Sequence, residues 1–66
     1  MDDPRLARER RVEAILADVL ARHPELRVQT RGNGILPPRV AEQTLRDESR
    51  TQEADELARL VDELGW

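Results

Sequence analysis

Arg27, Gln29 and Arg31 are the residues whose types and spacing could do specific chemistry in this chain. They alternate with Leu26, Val28 and Thr30 in the stretch "LRVQTRGNGILPP", Leu26 to Pro38. On an extended strand successive side chains point to opposite faces, so the three long polar groups would share one face. Arginine presents a donor fork that matches the guanine edge, and glutamine can bond adenine at two points. A two-stranded antiparallel ribbon fits the major groove of DNA. The chemistry this spacing points to is therefore base reading, with a second copy of the strand paired across a dimer axis to double the set. The competing reading is plainer: Arg and Gln are ordinary occupants of the solvent face of a half-buried strand.

Other chemistry is scarce. His23 is the only histidine and cysteine is absent, so no disulfide framework and no thiolate metal site can form. A single His between a helix end and Pro24 reads as a capping or surface residue. The carboxylates lie in alternating-charge helices, where a solvated face is the default. "RGNG" lacks the length and the strand–loop–helix setting of a phosphate cradle. The expectation is a non-enzymatic protein with no catalytic residues, no metal, no cofactor and no small-molecule substrate.

The elements that must position the alternating stretch are helical. Val12, Ile15, Leu16, Val19 and Leu20 recur at helical spacing, which predicts a helix over 4–22 capped by Asp3 with Pro4 in its first turn. Asp18 and Arg22 are placed to pair one turn apart. Pro24 ends the helix. Residues 26–36 are expected to form a strand and short hairpin. Asn33-Gly34 suits a type I′ turn, and Ile35-Leu36 return as a very short second strand before Pro37. Pro38 opens a helix over 38–47. Ser49 and Gln52 have capping-box spacing ahead of a last helix over 50–64. One continuous helix through the polar middle is the alternative. Ala54, Leu57, Leu60, Val61 and Leu64 form its apolar face, and Gly65 suits its C-terminal end. Asp55–Arg59 and Arg59–Glu63 are spaced to pair on the other face. The fold class expected is mainly α with a minor β element: helix, short β-hairpin, helix, helix, in one small domain.

Composition bounds the partners. Sixty-six residues with no Phe, no Tyr and only Trp66 must build a core from aliphatics, near the lower limit for a stable monomer. This favours a homodimer or a bound partner. The net charge of −3 disfavours nonspecific nucleic-acid binding by the whole surface, without excluding a local basic patch. No apolar run approaches a membrane span, and a cytoplasmic protein is expected. Arginines concentrate in the N-terminal half, and acids dominate from Glu42 onward. The acidic last helix could cover a basic protein partner.

Two readings from different classes follow. The order "RVQTR", "PPRVAEQTLRD", "SRTQEADELARLVDEL" resembles the ribbon-helix-helix family, and that resemblance implies a dimeric, antitoxin-like DNA-binding regulator using Arg27, Gln29 and Arg31. The chain departs from the family pattern in the "GNGIL" spacer, in the nineteen-residue helix before the strand, and in Asp55 where an aliphatic is expected. The alternative is a structural or adaptor subunit, similar in layout to phage helix–hairpin–helix joining proteins. It would contact neighbours through the surplus apolar surface of Leu57, Leu60, Val61, Leu64 and Trp66.

Overall fold

A computed structural model of the chain describes residues 3–30 and 35–66. Three α-helices carry the architecture: α1 is Pro4–Arg22, α2 is Pro38–Asp47 and α3 is Thr51–Leu64. A 3₁₀ turn, Pro24–Gln29, follows α1.

Local chemistry explains each boundary. The Asp3 carboxylate accepts the Arg5 N–H at 2.9 Å, and Pro4, which has no N–H to satisfy, starts α1. Val12, Ile15, Leu16 and Val19 form its buried stripe. Leu20, expected in the same stripe, lies half-buried at its edge. α1 ends at His23, whose N–H donates to the Val19 carbonyl at 2.9 Å.

Ion pairs between helices fix the topology. Arg8 meets Glu63 and Arg11 meets Glu56, each at 2.9 Å, so α1 and α3 run antiparallel. Arg22 meets Glu48 at 2.7 Å, which brings the C-terminal ends of α1 and α2 together, and Arg46–Asp55 with the Pro38–Val61 depression sets α2 antiparallel to α3, so α1 and α2 run in the same sense. Residues 23–37 must therefore carry the chain back to the start of α2. Leu36, 1% exposed, anchors that return by joining the core of Val12, Ile15, Leu16, Val19, Leu45, Leu57 and their neighbours.

The expected minor β element is not present: among the described residues there is no strand, and the fold is all-α. Local hydrogen bonds take over where a hairpin was expected. The Leu26 N–H donates to the His23 carbonyl at 2.9 Å, and both the N–H and the hydroxyl of Thr30 donate to the Arg27 carbonyl, at 3.1 and 2.7 Å. A return strand of two residues ending at Pro37 offers too short a ladder to compete with these bonds. A 3₁₀ turn has three residues per turn, so i and i+2 do not share a face. Leu26 accordingly packs on the core while Val28 is 86% exposed. The expected Asn33-Gly34 turn lies outside the described residues, and Ile35-Leu36 is not a strand.

α2 and α3 are separate helices. Ser49 does not cap α3; it sits in the left-handed region at φ 64° and closes α2. Its N–H donates to the Arg46 carbonyl at 3.0 Å and that of Arg50 to the Leu45 carbonyl at 2.8 Å, the two bonds of a Schellman motif. α3 ends the same way. Gly65 is at φ 72°, its N–H donates to Asp62 at 3.2 Å, and the Trp66 N–H donates to Val61 at 3.0 Å. At Gly65 the residue suits the conformation; at Ser49 a Cβ is held where glycine is preferred.

The strained Ser49 and the buried Leu36 should respond to substitution in opposite directions. Ser49→Gly should raise the urea midpoint by the equivalent of about 0.5–1 kcal/mol by relieving the left-handed conformation. Leu36→Ala should cost roughly 2–5 kcal/mol, enough to leave the chain largely unfolded at room temperature by circular dichroism. A midpoint lowered by Ser49→Gly, or a Leu36→Ala chain as stable as the parent, would contradict this packing.

Candidate interaction site

Most charged side chains are already committed to one another. Arg11 forms two bonds to Glu56, from Nε at 3.0 Å and Nη2 at 2.9 Å. Arg46 bridges Glu42, one turn back, and Asp55 on α3. Arg5 pairs with Glu9 and Arg50 with Glu53. The expected Asp18–Arg22 pair forms at 3.0 Å. The expected Arg59 pairs do not, because Asp55 turns to Arg46 and Glu63 to Arg8. Bonds between helices have displaced bonds within one. Among the described residues the arginines without an ion pair are Arg10, Arg27, Arg39 and Arg59.

The densest charge cluster joins the ends of α1 and α2. Arg22 Nη1 reaches both Glu48 carboxylate oxygens, at 2.9 and 2.7 Å, while its Nε donates to Asp18 at 3.1 Å. His23 lies between two carboxylates: Nδ1 is 3.2 Å from Glu25 and Nε2 is 3.1 Å from Glu48, the latter a short but bent contact. Glu48 raises the imidazole pKa above its ordinary 6.5, partial desolvation opposes that rise, and Glu25 adds to it. In return His23 holds the Glu48 carboxyl below its ordinary 4.5, against desolvation and with help from Arg22. The cluster is a structural tie between helix ends. Among the described residues no three His, Cys, Asp or Glu side chains converge as a metal site.

The strand that was expected to align the base-reading side chains is not found among the described residues. Arg27 and Gln29 are exposed on the 3₁₀ turn, not on a ribbon, and Arg31 lies outside the described residues. Without a strand, the shared face that justified them is lost. The apolar residues expected at a partner surface divide in two. Leu57, Leu60 and Leu64 are buried within the chain's own core. Val61 is half-buried, and Trp66 is 51% exposed. The Schellman bond from the Trp66 N–H to Val61 turns the chain end back over α3. There Trp66 borders a shallow depression of about 260 Å³ with Pro38, Ala58 and Val61, flanked by Arg39 and Asp62.

A second surface was not apparent from the apolar stripe. The outward face of α1 carries two shallow grooves. One, of about 340 Å³, is lined by Glu13, Leu16, Ala17, Leu20, Ile35 and Leu36. The other, of about 280 Å³, lies around Leu6, Ala7 and Arg10. Its sequence signal was the spacing of Leu6, Ala17 and Leu20, which are interrupted by charges and so do not register as a stripe.

No family model, curated protein or solved structure matches this chain. Among the described residues no helix is long and apolar enough to cross a membrane.

The His23–Glu48 tie gives a pH signature. A raised His pKa stabilises the fold fully below the ordinary value of 6.5, and that gain is lost as pH rises through the folded value. A lowered Glu pKa stabilises above 4.5, and that gain is lost as pH falls through the folded value. Stability should therefore be greatest between these two values. It should decline as pH rises above the ordinary imidazole value of 6.5 in the parent chain, and His23→Gln should flatten that decline. Thermal melts across that rise measure both; an undiminished decline in His23→Gln would place its source elsewhere.

Proposed function

We propose that this chain is a non-enzymatic protein-interaction module, an adaptor or assembly subunit, and that Trp66 with Val61, Ala58 and Pro38 forms its contact surface. The observation that carries this reading is the half-exposed indole held on an apolar base by a defined helix end. Tryptophan is enriched among the residues that dominate binding energy, and with only two side-chain torsions it loses little entropy on docking. The unpaired Arg39 at the rim supplies polar definition around the apolar centre.

Duplex DNA is the less favoured partner. Arg5, Arg8, Arg11, Arg22, Arg46 and Arg50 already face carboxylates, and among the described residues there is no strand to align Arg27 and Gln29. A basic protein partner of α3 is disfavoured for the mirror reason. Asp55, Glu56 and Glu63 are engaged by arginines of α2 and α1.

Two measurements test the reading. A labelled mixed-sequence duplex should show no anisotropy change at low salt; binding that weakens steeply with added salt would return the chain to the nucleic-acid class. A photo-crosslinking amino acid at position 66 should capture a protein in the expressing cells, whereas one at position 27 should not. Trp66→Ala should then weaken that partner by roughly 30-fold, the equivalent of about 2 kcal/mol. Capture at position 27 alone would put the contact on the wrong face.

A further inference from the structure

α1 carries eight charged side chains: Arg5, Arg8, Glu9, Arg10, Arg11, Glu13, Asp18 and Arg22. Six are paired, within α1 or with α2 and α3. The two that are not, Arg10 and Glu13, lie on the same outward face. They occupy the middle of a seam made of Leu6, Arg10, Glu13, Ala17 and Leu20. The steps are four, three, four and three residues, the alternation of the inner positions of a coiled coil. Among the described residues no other element packs over this seam in full: Leu6 is 43% and Ile35 48% exposed, and the grooves at both ends are open.

Four of the five seam positions, Leu6, Arg10, Glu13 and Ala17, complement themselves when reversed, and Leu20 falls beside the N-cap Asp3. If two copies of α1 lie antiparallel with the two-fold axis midway between residues 11 and 12, residue i faces residue 23 − i. Arg10 then faces the second copy's Glu13, and Glu13 its Arg10. Leu6 faces Ala17, and Ala17 faces Leu6. The large side chain meets the small one, and Ala17 is the residue that opens the 340 Å³ groove between Leu16, Leu20 and Leu36. A parallel pairing in register would set Arg10 beside Arg10 and Glu13 beside Glu13. From the reversed complementarity of charge and size we infer that the outward face of α1 docks a second copy of this chain. The dimer is isologous and antiparallel: Leu6 of each copy enters the Ala17 groove of the other, and two reciprocal Arg10–Glu13 pairs set the register. The Trp66 surface lies on α2 and α3 and takes no part, so loss of the dimer and loss of a Trp66 partner are separate outcomes.

The test is a charge swap read by analytical ultracentrifugation of the intact chain, with circular dichroism confirming that each variant is helical. The parent should show a monomer–dimer equilibrium, weakened by salt. Arg10→Glu and Glu13→Arg each create two like-charge contacts and should weaken the dimer by about tenfold or more. The double variant restores complementarity with the signs exchanged and should recover most of that loss. Because the chain has no cysteine, disulfide formation can check the orientation. A mixture of Leu6→Cys and Ala17→Cys chains should cross-link. Ala17→Cys alone should not, because in the antiparallel pair its two copies sit roughly 16 Å apart along the axis at 1.5 Å per residue. A parent that is monomeric at millimolar concentration, reversals without effect, a double variant no better than the single ones, or ready self-linking of Ala17→Cys would each overturn the inference.

Discussion

The fold depends on closing a core that contains no aromatic ring. Eleven described residues are buried in it: Val12, Ile15, Leu16, Val19, Leu36, Ala41, Leu45, Ala54, Leu57, Leu60 and Leu64. The only aromatic residue, Trp66, stays at the surface. Small aliphatics fill space only when several elements interdigitate, so no pair of helices suffices. α1 supplies four of the eleven, α2 two and α3 four. Leu36 is the remaining one, and it belongs to no helix. Its burial holds the returning chain against α1 and so sets the parallel relation of α1 and α2. That relation in turn leaves α3 to pack antiparallel to both, after the tight turn at Ser49.

Charge then does a different job from burial. Exposed ion pairs are individually worth little, typically about 0–1 kcal/mol. Their arrangement is nonetheless informative, because some acids connect helices although a partner one turn away was available. Asp55 and Glu63 could each have paired with Arg59 on their own helix and did not. The geometry of the core brings Arg46 and Arg8 within reach of them. Among the described charges without an ion pair, Arg10 and Glu13 sit on the outer face of α1 and Arg39 and Asp62 beside Trp66, with Arg27 and Arg59 elsewhere on the surface. The binding faces of so charged a protein are better located by which charges are idle than by how many there are.

The helices were legible in the sequence and the connection was not, for a physical reason. Val12 to Val19 and Ala54 to Leu64 repeat at 3.6-residue spacing over several turns, and Pro4, Pro38 and Gly65 mark ends through backbone constraints that tertiary structure rarely overrides. Leu26 to Thr30 also repeats, but over only five residues, where a strand pattern and a 3₁₀ turn differ by small energies and the presence of a partner strand decides. With that strand limited to Ile35-Leu36 before Pro37, local bonds from Leu26 and Thr30 prevail. The same limit affected the candidate sites. Arg27 and Gln29 would share a face only if extended. Leu57, Leu60 and Leu64 could serve a partner only if the chain's own core did not need them, and a core without aromatics needs them all. Ser49 misled in the opposite direction. Its spacing to Gln52 suggests a helix start, whereas the short link between α2 and α3 leaves room only for the closing motif of α2.

The inferred seam on α1 and the small core bear on each other. A chain of this size that buries only aliphatics keeps little free energy in reserve. An additional apolar layer on the longest helix would be a costly exposure for a monomer, since it covers nothing. It becomes a source of stability once a second copy is present, because association adds to folding by mass action whatever it contributes to binding. Placing Arg10 and Glu13 in the middle of that layer keeps the free surface from being a continuous apolar patch. It also confines productive docking to the one orientation in which both charges are met. In the inferred dimer the same two residues, which alone among the charges of α1 lack an ion pair, would both interrupt the monomer's apolar surface and set the orientation of docking.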